Sequence, residues 1–478
     1  MLARTFPLWL GCLLVGCSLP QRPDPAPAVA LPLQWQAPPL PHAGSTEHLG
    51  QWWSRFNDPV LSRWIARAQA ASPSVASARA RVFVARATSL GVAADTGPQA
   101  VLVGRASRGQ TDPLQPLGSL LSAGAEVSWA LDLWGEAGAR RDSAQAQQDS
   151  ASAGWHDARV LVAADTARLY FAQRLCVVLL GVAAADRDSR AATAAATTVA
   201  EQAGLTAPAV AALARASRAD AAGRHGQQAQ ACERQIKALS ALTGLAEPEL
   251  RAELRQAPDL SAWLVSDEAD RALSVGALPV EIIRQRPDVY RAQRELVAAS
   301  AQVGVAQAAL LPSLSLSGNL FLNRFSGAGA EVGFETWSIG PLTLRLPLLG
   351  RERLDAGVAS ARAQYEAASK AYAATLRQAV SEVEQALVSL SALGQRRIDA
   401  QAAAQGYGQS FVATEARHRA GLASLNELED ARRLQLNAQN AMLALEQERV
   451  ATWIDLYVAL GGGFDPMASA QEALKDKP

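Results

Sequence analysis

The stretch from Leu348 to Asp465 contains no proline, and its apolar residues recur at helical spacing. Val358, Tyr365, Tyr372, Ala379, Ala386 and Leu393 stand seven apart in its first half, as do Leu436, Leu443, Val450 and Tyr457 in its second. Sevenfold spacing lays one apolar seam along a helix that packs in coiled-coil fashion against neighbours. His418-Arg-Ala-Gly421 followed by Leu422-Ala-Ser-Leu-Asn426 reads as a glycine cap, a tight turn and a new helix start. Each arm then holds about 40 to 65 residues, which at 1.5 Å per residue is roughly 60 to 100 Å of helix. A globular core has no use for helices that long. The expected shape is a rod or a tube.

The 478 residues leave room for two or three ordinary domains. Charge is balanced at 45 acidic and 45 basic residues, which argues against nucleic acid or any partner recognised by bulk charge. Residues 1–16 read as a signal peptide: an early Arg4, then the apolar run Phe6 to Val15. The segment ends Leu14-Val-Gly-Cys17, which resembles a bacterial lipobox and makes Cys17 the expected lipidation site. A signal peptide cut elsewhere, with a chance cysteine, is the alternative. Nothing after Cys17 reads as the 18 or so apolar residues that a transmembrane helix needs. Leu175 to Ala185, bounded by Arg174 and Asp186, is expected to be a buried helix seam. A chain like this crosses a membrane as strands, if it crosses at all.

Residues 17–50 are rich in proline and polar residues and form an extended, lipidated tether. Trp52 to Leu61 opens a first helix expected to run to about Ala94. From Pro98 the period changes, and in Ala125 to Asp132 the apolar Val127, Trp129 and Leu131 alternate with Glu126, Ser128 and Asp132, the pattern of a strand. A helical hairpin follows from about Ala139, turning near Gly204 and returning from Pro208 to Gly244. The second half repeats this order. Ser313 to Leu322 and Leu342 to Leu348 alternate, Leu349-Gly350 matches Trp134-Gly135, and His418 to Leu422 matches Glu201 to Leu205. The paired glycines 135/350 and 204/421 lie 215 and 217 positions apart, so the pattern is an internal duplication. The expected divisions are a first repeat at 51–245, an irregular linker at 246–280, a second repeat at 281–463 turning near Gly421, and a tail at 464–478.

Two strands per repeat give four per chain, whereas a closed membrane barrel needs at least eight. Open edges are not tolerated in lipid, because each unpaired backbone group costs several kcal/mol. The strands must therefore borrow partners from other copies, and three copies supply twelve. Ser313, Ser315, Ser317, Thr343, Arg345, Glu126 and Asp132 would line a watery interior, with the leucines facing lipid.

Several motifs now identify a resemblance. They are the lipobox at Cys17, Trp52 to Leu61, Leu131-Asp-Leu-Trp-Gly135, Leu278 to Val289 (LPVEIIRQRPDV), Leu310 to Leu316, Arg419-Ala-Gly421 and Ala459 to Phe464. Together they span nearly the whole mature chain, which resembles the TolC-like outer-membrane efflux proteins, in the lipoprotein branch that serves resistance-nodulation-division pumps. The resemblance implies a mainly α fold with a β-barrel portion: a homotrimer with a twelve-stranded barrel and a long α-helical periplasmic tunnel. It implies a passive exit duct for drugs, toxic compounds or metal ions, docked to a periplasmic adaptor and an inner-membrane pump. The expected location is the outer membrane, lipid-anchored; Ser18 after Cys17 favours that sorting. Glu427 and Asp430 occupy the positions where the family carries the aspartates of its pore constriction, with Arg432 and Arg433 as counter-charges. The equivalent places in the first hairpin, Val210 and Leu213, are apolar. This chain departs from many relatives in having His418-Arg419 where they carry tyrosine before the hairpin glycine.

Other chemistry finds little support. No phosphate loop, dinucleotide turn or metal-spaced Cys/His cluster is present, so no metal or other cofactor is expected beyond the lipid. An enzyme using Glu427 and Asp430 as acid and base lacks any pocket motif. A structural periplasmic lipoprotein would not need lipid-facing strands, and the outer duct of a type I secretion system is the nearer alternative. Cys176 and Cys232 each lie 28 residues from Gly204, at equal height in an antiparallel hairpin. Equal height permits a disulfide in an oxidising periplasm and equally permits two small buried thiols, since helix rotation decides which side chains face.

Overall fold

Two glycines at matching places in the repeats, Gly135 and Gly350, adopt left-handed backbone (φ 76° and 75°) and start the two longest helices. The computed structural model describes residues 21–24, 32, 35–37, 49–56, 58–110, 117–258, 283, 286–327 and 329–465. The signal peptide, Cys17, most of the tether and linker, and the tail beyond Asp465 lie outside the described residues.

A 3-10 segment at Leu49–Phe56 leads into α1 (Pro59–Ala71) and α2 (Pro73–Asp95). The single helix expected from Trp52 to about Ala94 is therefore three pieces. Proline suits the first helical turn, where its missing N–H is no loss. The Asp58 carboxylate accepts from Val60 N (2.9 Å), and the Ser72 hydroxyl accepts from Val75 N (3.4 Å), so each proline opens a new helix. Strands β1 (Gln99–Gly109) and β2 (Gly118–Leu131) come next, then the hairpin of α3 (Glu136–Gln202) and α4 (Pro208–Thr243). Helix α5 (Glu247–Gln256) stands where an irregular linker was expected. Glu247-Pro-Glu249 forms a good first turn, and Leu250 is fully buried. The second repeat holds α6 (Pro287–Ala308), β3 (Ser313–Gly327), β4 (Ala330–Arg345), α7 (Arg351–Arg419) and α8 (Leu425–Ala459). Helices α3 and α7, of 67 and 69 residues, are each about 100 Å long.

The strands form one antiparallel sheet in the order β1-β2-β3-β4, so β2 and β3 join the repeats. One face carries Leu102, Leu121, Val127, Trp129, Leu320, Leu322, Trp337 and Ile339, all exposed. The other carries an Arg105–Glu126 ion pair (2.6 Å) and a chain of hydrogen bonds from Ser122 to Asn323 to Thr336. Strand β4 differs from the expected Leu342–Leu348. It begins twelve residues earlier, at Ala330, and ends at Arg345. Its apolar residues are odd-numbered at Trp337 and Ile339 but even-numbered at Leu342 and Leu344. A register shift opposite Ser317, at Gly340-Pro341, keeps all four on one face. Without that bulge, a slip of one residue would turn the later leucines to the polar side.

Midway along the helices, the largest core gathers Trp52, Trp64, Tyr170, Phe171, Ile236, Leu239, Val383, Trp453 and Leu456. Fully burying such a side chain contributes about 1.5–3 kcal/mol, whereas an exposed ion pair contributes about 0–1 kcal/mol. This belt, more than the many surface pairs, fixes the helices. Arg286, in the second-repeat motif, is buried here. It donates to Asp288 (2.7 Å), Glu382 (2.7 Å) and the Ala459 carbonyl (2.9 Å), tying α6, α7 and the end of α8 together. The described tether residues contact the helices: Arg22 pairs with Asp142 (2.7 Å), and Glu384 accepts from the backbone N–H groups of Gln36 and Ala37 (both 2.7 Å).

Among the described residues one helix, α3, is long and apolar enough by composition to cross a membrane, contrary to the reading from sequence. The buried seam expected at Leu175 to Ala185 is only partly present: Leu175 and Cys176 are buried, whereas Val177 and Val178 are exposed. Cys176 is bridged to Cys232 of α4, and Asp220, Arg224 and Gln228 of α4 run alongside it, so α3 is one wall of a hairpin.

Candidate functional site

Both hairpins turn on a left-handed glycine, Gly204 (φ 72°) and Gly421 (φ 74°). In each, the following leucine N–H closes a bond to a carbonyl five residues back: Leu205 to Ala200 (2.8 Å) and Leu422 to Arg417 (2.8 Å). That geometry satisfies the last helical carbonyls and leaves Leu205 and Leu422 on the surface of the tips. His418 takes part in the second turn, its Nδ1 lying 2.9 Å from the Ala423 carbonyl, while Arg417 donates to the Leu422 carbonyl (3.2 Å).

Helix α8 begins immediately after this turn with a capping box. Glu427 N donates to the Ser424 hydroxyl (3.2 Å), and the Glu427 carboxylate accepts from Ser424 N (2.7 Å). The bond from Ser424 holds the Glu427 carboxyl below the usual carboxylate range, with Arg417 adding a smaller effect. Asp430, one turn on, is exposed and pairs with Arg433 (2.9 Å). Arg432 differs from the expectation that it would balance these two acids. Helical rotation points it inward, where it is buried and pairs with Glu429 (2.6 Å) instead.

Glu429 is the neighbour of this site that sequence reasoning missed. It also accepts from Arg190 of α3 and from Ser217 of α4 (2.8 Å), and Arg190 pairs with Asp186 (2.8 Å). Arg432 further donates to Ser189 (3.0 Å) and lies over the Phe411 ring (5.6 Å). Burial pushes the Arg432 guanidinium below its ordinary pKa, an effect that Glu429 opposes. The signal was present as Asp186/Arg190 and Glu429/Arg432 at i,i+4 and i,i+3 in otherwise alanine-rich helices. Such spacing is equally at home on a solvated face. Beside this cluster a recess of about 790 Å³ opens between α3, α4 and α8, and Asp430 and Arg433 stand on its rim. In the first hairpin Val210 packs against Leu425 and Leu428, while Leu213 is exposed. Among the described residues no group of His, Cys, Asp and Glu is placed to hold a metal.

Residues 278–462 match the outer membrane efflux protein family. Over nearly its full length the chain is similar to nodulation protein T of Rhizobium leguminosarum bv. viciae, at 26% identity over 474 residues, covering 98% of this chain and 95% of that one. It is similar to the pyoverdine export outer membrane protein OpmQ of Pseudomonas putida, at 27% identity over 470 residues, covering 95% and 96%. In structure it is similar to the outer-membrane channel OprN, with a TM-score of 0.79 at 26% identity over 91% of this chain and 98% of that one. With a four-stranded sheet apolar on one face and two long helical hairpins, these matches make the chain an outer-membrane efflux channel component with a periplasmic extension, whose residues 278–462 match the outer membrane efflux protein family.

Proposed function

We propose that three copies of this chain assemble into a passive exit duct, docked to a periplasmic adaptor and driven by an inner-membrane pump. The sheet carries this reading. It has one largely apolar face, a polar face, and two open edges at β1 and β4. Lipid tolerates no open edge, and three sheets of four strands close a twelve-stranded barrel with the polar face inward. From Leu314 to Leu322 the apolar alternation covers about the nine to eleven residues that a tilted transmembrane strand needs. The helical hairpins then continue the lumen for about 100 Å into the periplasm.

At the tips, Glu427 and Asp430 from three copies form the constriction, with Arg433 as the counter-charge to Asp430; their exposure and their place beside the turn support this role. Cys17 carries the lipid anchor, which supplements an already embedded barrel. Mass spectrometry of the mature amino terminus should find it acylated, and an unmodified Cys17 would remove the anchor from the scheme. The assembly is tested on purified protein in detergent. The expected result is a native mass of three protomers, a heat-modifiable band and conductance in planar bilayers. A monomer without conductance would overturn the duct.

A further inference from the structure

We infer that Arg108 of one copy pairs with Glu335 of the next across the barrel seam, and that this pair fixes the register in which two copies join. The inference rests on the trimeric duct, because it needs β1 and β4 to meet as edges of neighbouring sheets.

Among the described residues, the apolar face of the strands holds four ionisable side chains: Arg108, Arg324, Glu331 and Glu335. All lie toward the end of the sheet away from the helices, two of each sign. Arg324 pairs with Glu331 on the neighbouring strand. Arg108 and Glu335 are exposed and stand on the two edge strands. Three strand spacings, about 14 Å, keep them from meeting within one copy.

Barrel tilt sets how far neighbouring sheets are offset. Within one sheet Arg108, Ser119, Ser326 and Glu331 form a single row. Four strands span about 19 Å. A tilt of about 35–45° then shifts equivalent residues by about 13–19 Å along the strand, about four to six residues. Alternation allows only an even offset, about four or about six, since an odd one would turn the leucines to the polar side.

The need to pair backbone chooses the direction. An offset toward the start of β4 would set Glu331 against Gly104 of the next copy and leave Trp337 to Arg345 without a partner strand. Lipid does not tolerate such a run of unpaired backbone groups. In the other direction, the shorter offset sets Arg108 against Glu335, Ala106 against Trp337 and, past the bulge at Gly340-Pro341, Leu102 against Leu342. All 11 residues of β1 are then paired, from Gln99 against Arg345 to Gly109 against Phe334. The longer offset would set Arg108 against Trp337 and carry Gln99 and Ala100 past the end of β4. A slip of this kind keeps every side chain on its face and most of the ladder intact, so side chains must choose the register. Unlike charges directly opposite favour one register, and like charges disfavour it.

Disulfide cross-linking between copies of the full-length protein tests the assignment. Ala106→Cys/Trp337→Cys reports the shorter offset, and Ala106→Cys/Ile339→Cys reports the longer. With Arg108 and Glu335 intact, the first should give severalfold more linked dimer and trimer on a non-reducing gel than the second. Glu335→Arg should lower that ratio severalfold, and adding Arg108→Glu should restore it. A parent that links through Ile339→Cys in preference, or a ratio that ignores Glu335→Arg, would overturn the pair while leaving the duct intact. Trimers that link through neither position would do the same. A protein that is monomeric by native mass would overturn the duct reading and this inference with it.

Discussion

Arg432 lies 2.6 Å from Glu429 of its own helix, and the same carboxylate accepts from Arg190 of the other hairpin. The pair fastens α8 to α3 close to the tips, in a place where both arginines are buried. Breaking a buried pair from one side leaves a charge without its partner, at a cost of about 3–5 kcal/mol. Glu429→Gln should therefore loosen the start of α8, read as faster amide exchange from Leu425 to Leu436 with the equatorial belt unchanged. Unaltered exchange in that segment would show that the cluster does not hold the hairpins together.

The constriction assignment predicts higher single-channel conductance, or lost cation preference, for Glu427→Ala/Asp430→Ala. Because Glu427 is also half of the capping box, Ser424→Ala provides the control. It costs about 1 kcal/mol of helix stability and keeps both carboxylates. If Ser424→Ala alone reproduces the change, Glu427 acts as a cap rather than at the pore.

Cys176 and Cys232 are bridged, with Cα atoms 5.6 Å apart and a sequence separation of 56. Proteolysis without reductant should release the two segments as one linked species. Replacing both cysteines by serine should lower the denaturation midpoint. A loop of this length sets the loss at about 4 kcal/mol, less whatever the zipped hairpin retains on its own.

The two faces of β3 should respond oppositely to charge. Leu320 is exposed on the apolar face, and its neighbour Asn319 lies on the polar one. Arginine facing lipid near the bilayer midplane costs about 2–4 kcal/mol, so Leu320→Arg should cut the yield of heat-modifiable oligomer. Asn319→Arg should assemble normally. Equal yields would mean that the leucine face does not meet lipid.

Burial raises the Tyr457 hydroxyl to about 12 from an ordinary value of 10.0. A phenol whose pKa is raised on folding stabilises the fold fully below about pH 10. That contribution fades as pH rises toward 12, and it amounts to on the order of 2–3 kcal/mol. Burial raises Tyr170 further, and its hydrogen bond to Asp58 adds to the shift. Melting temperature should fall steeply over that alkaline range, and Tyr457→Phe should flatten the fall. An unchanged slope would place the alkaline sensitivity elsewhere.

Periodicity, proline placement and two glycines determined much of this protein before any packing was considered. The long helices, the turns at Gly204 and Gly421, the duplication and the alternating strands all follow from residues a few places apart. Tertiary structure decided what depends on how elements are rotated against one another. Counting put Cys176 and Cys232 at equal height; only the packing of α3 on α4 turned them face to face. It likewise turned Arg432 away from Asp430 and into Glu429. Strand β4 was legible only at its end, because the bulge at Gly340-Pro341 breaks the alternation. Pairing with β3 supplies the hydrogen bonds that make a strand of it regardless. Sequence spacing fixes which residues share a helix or strand face. The direction in which that face points is set by the summed contacts of many side chains on other elements, and no local pattern contains it.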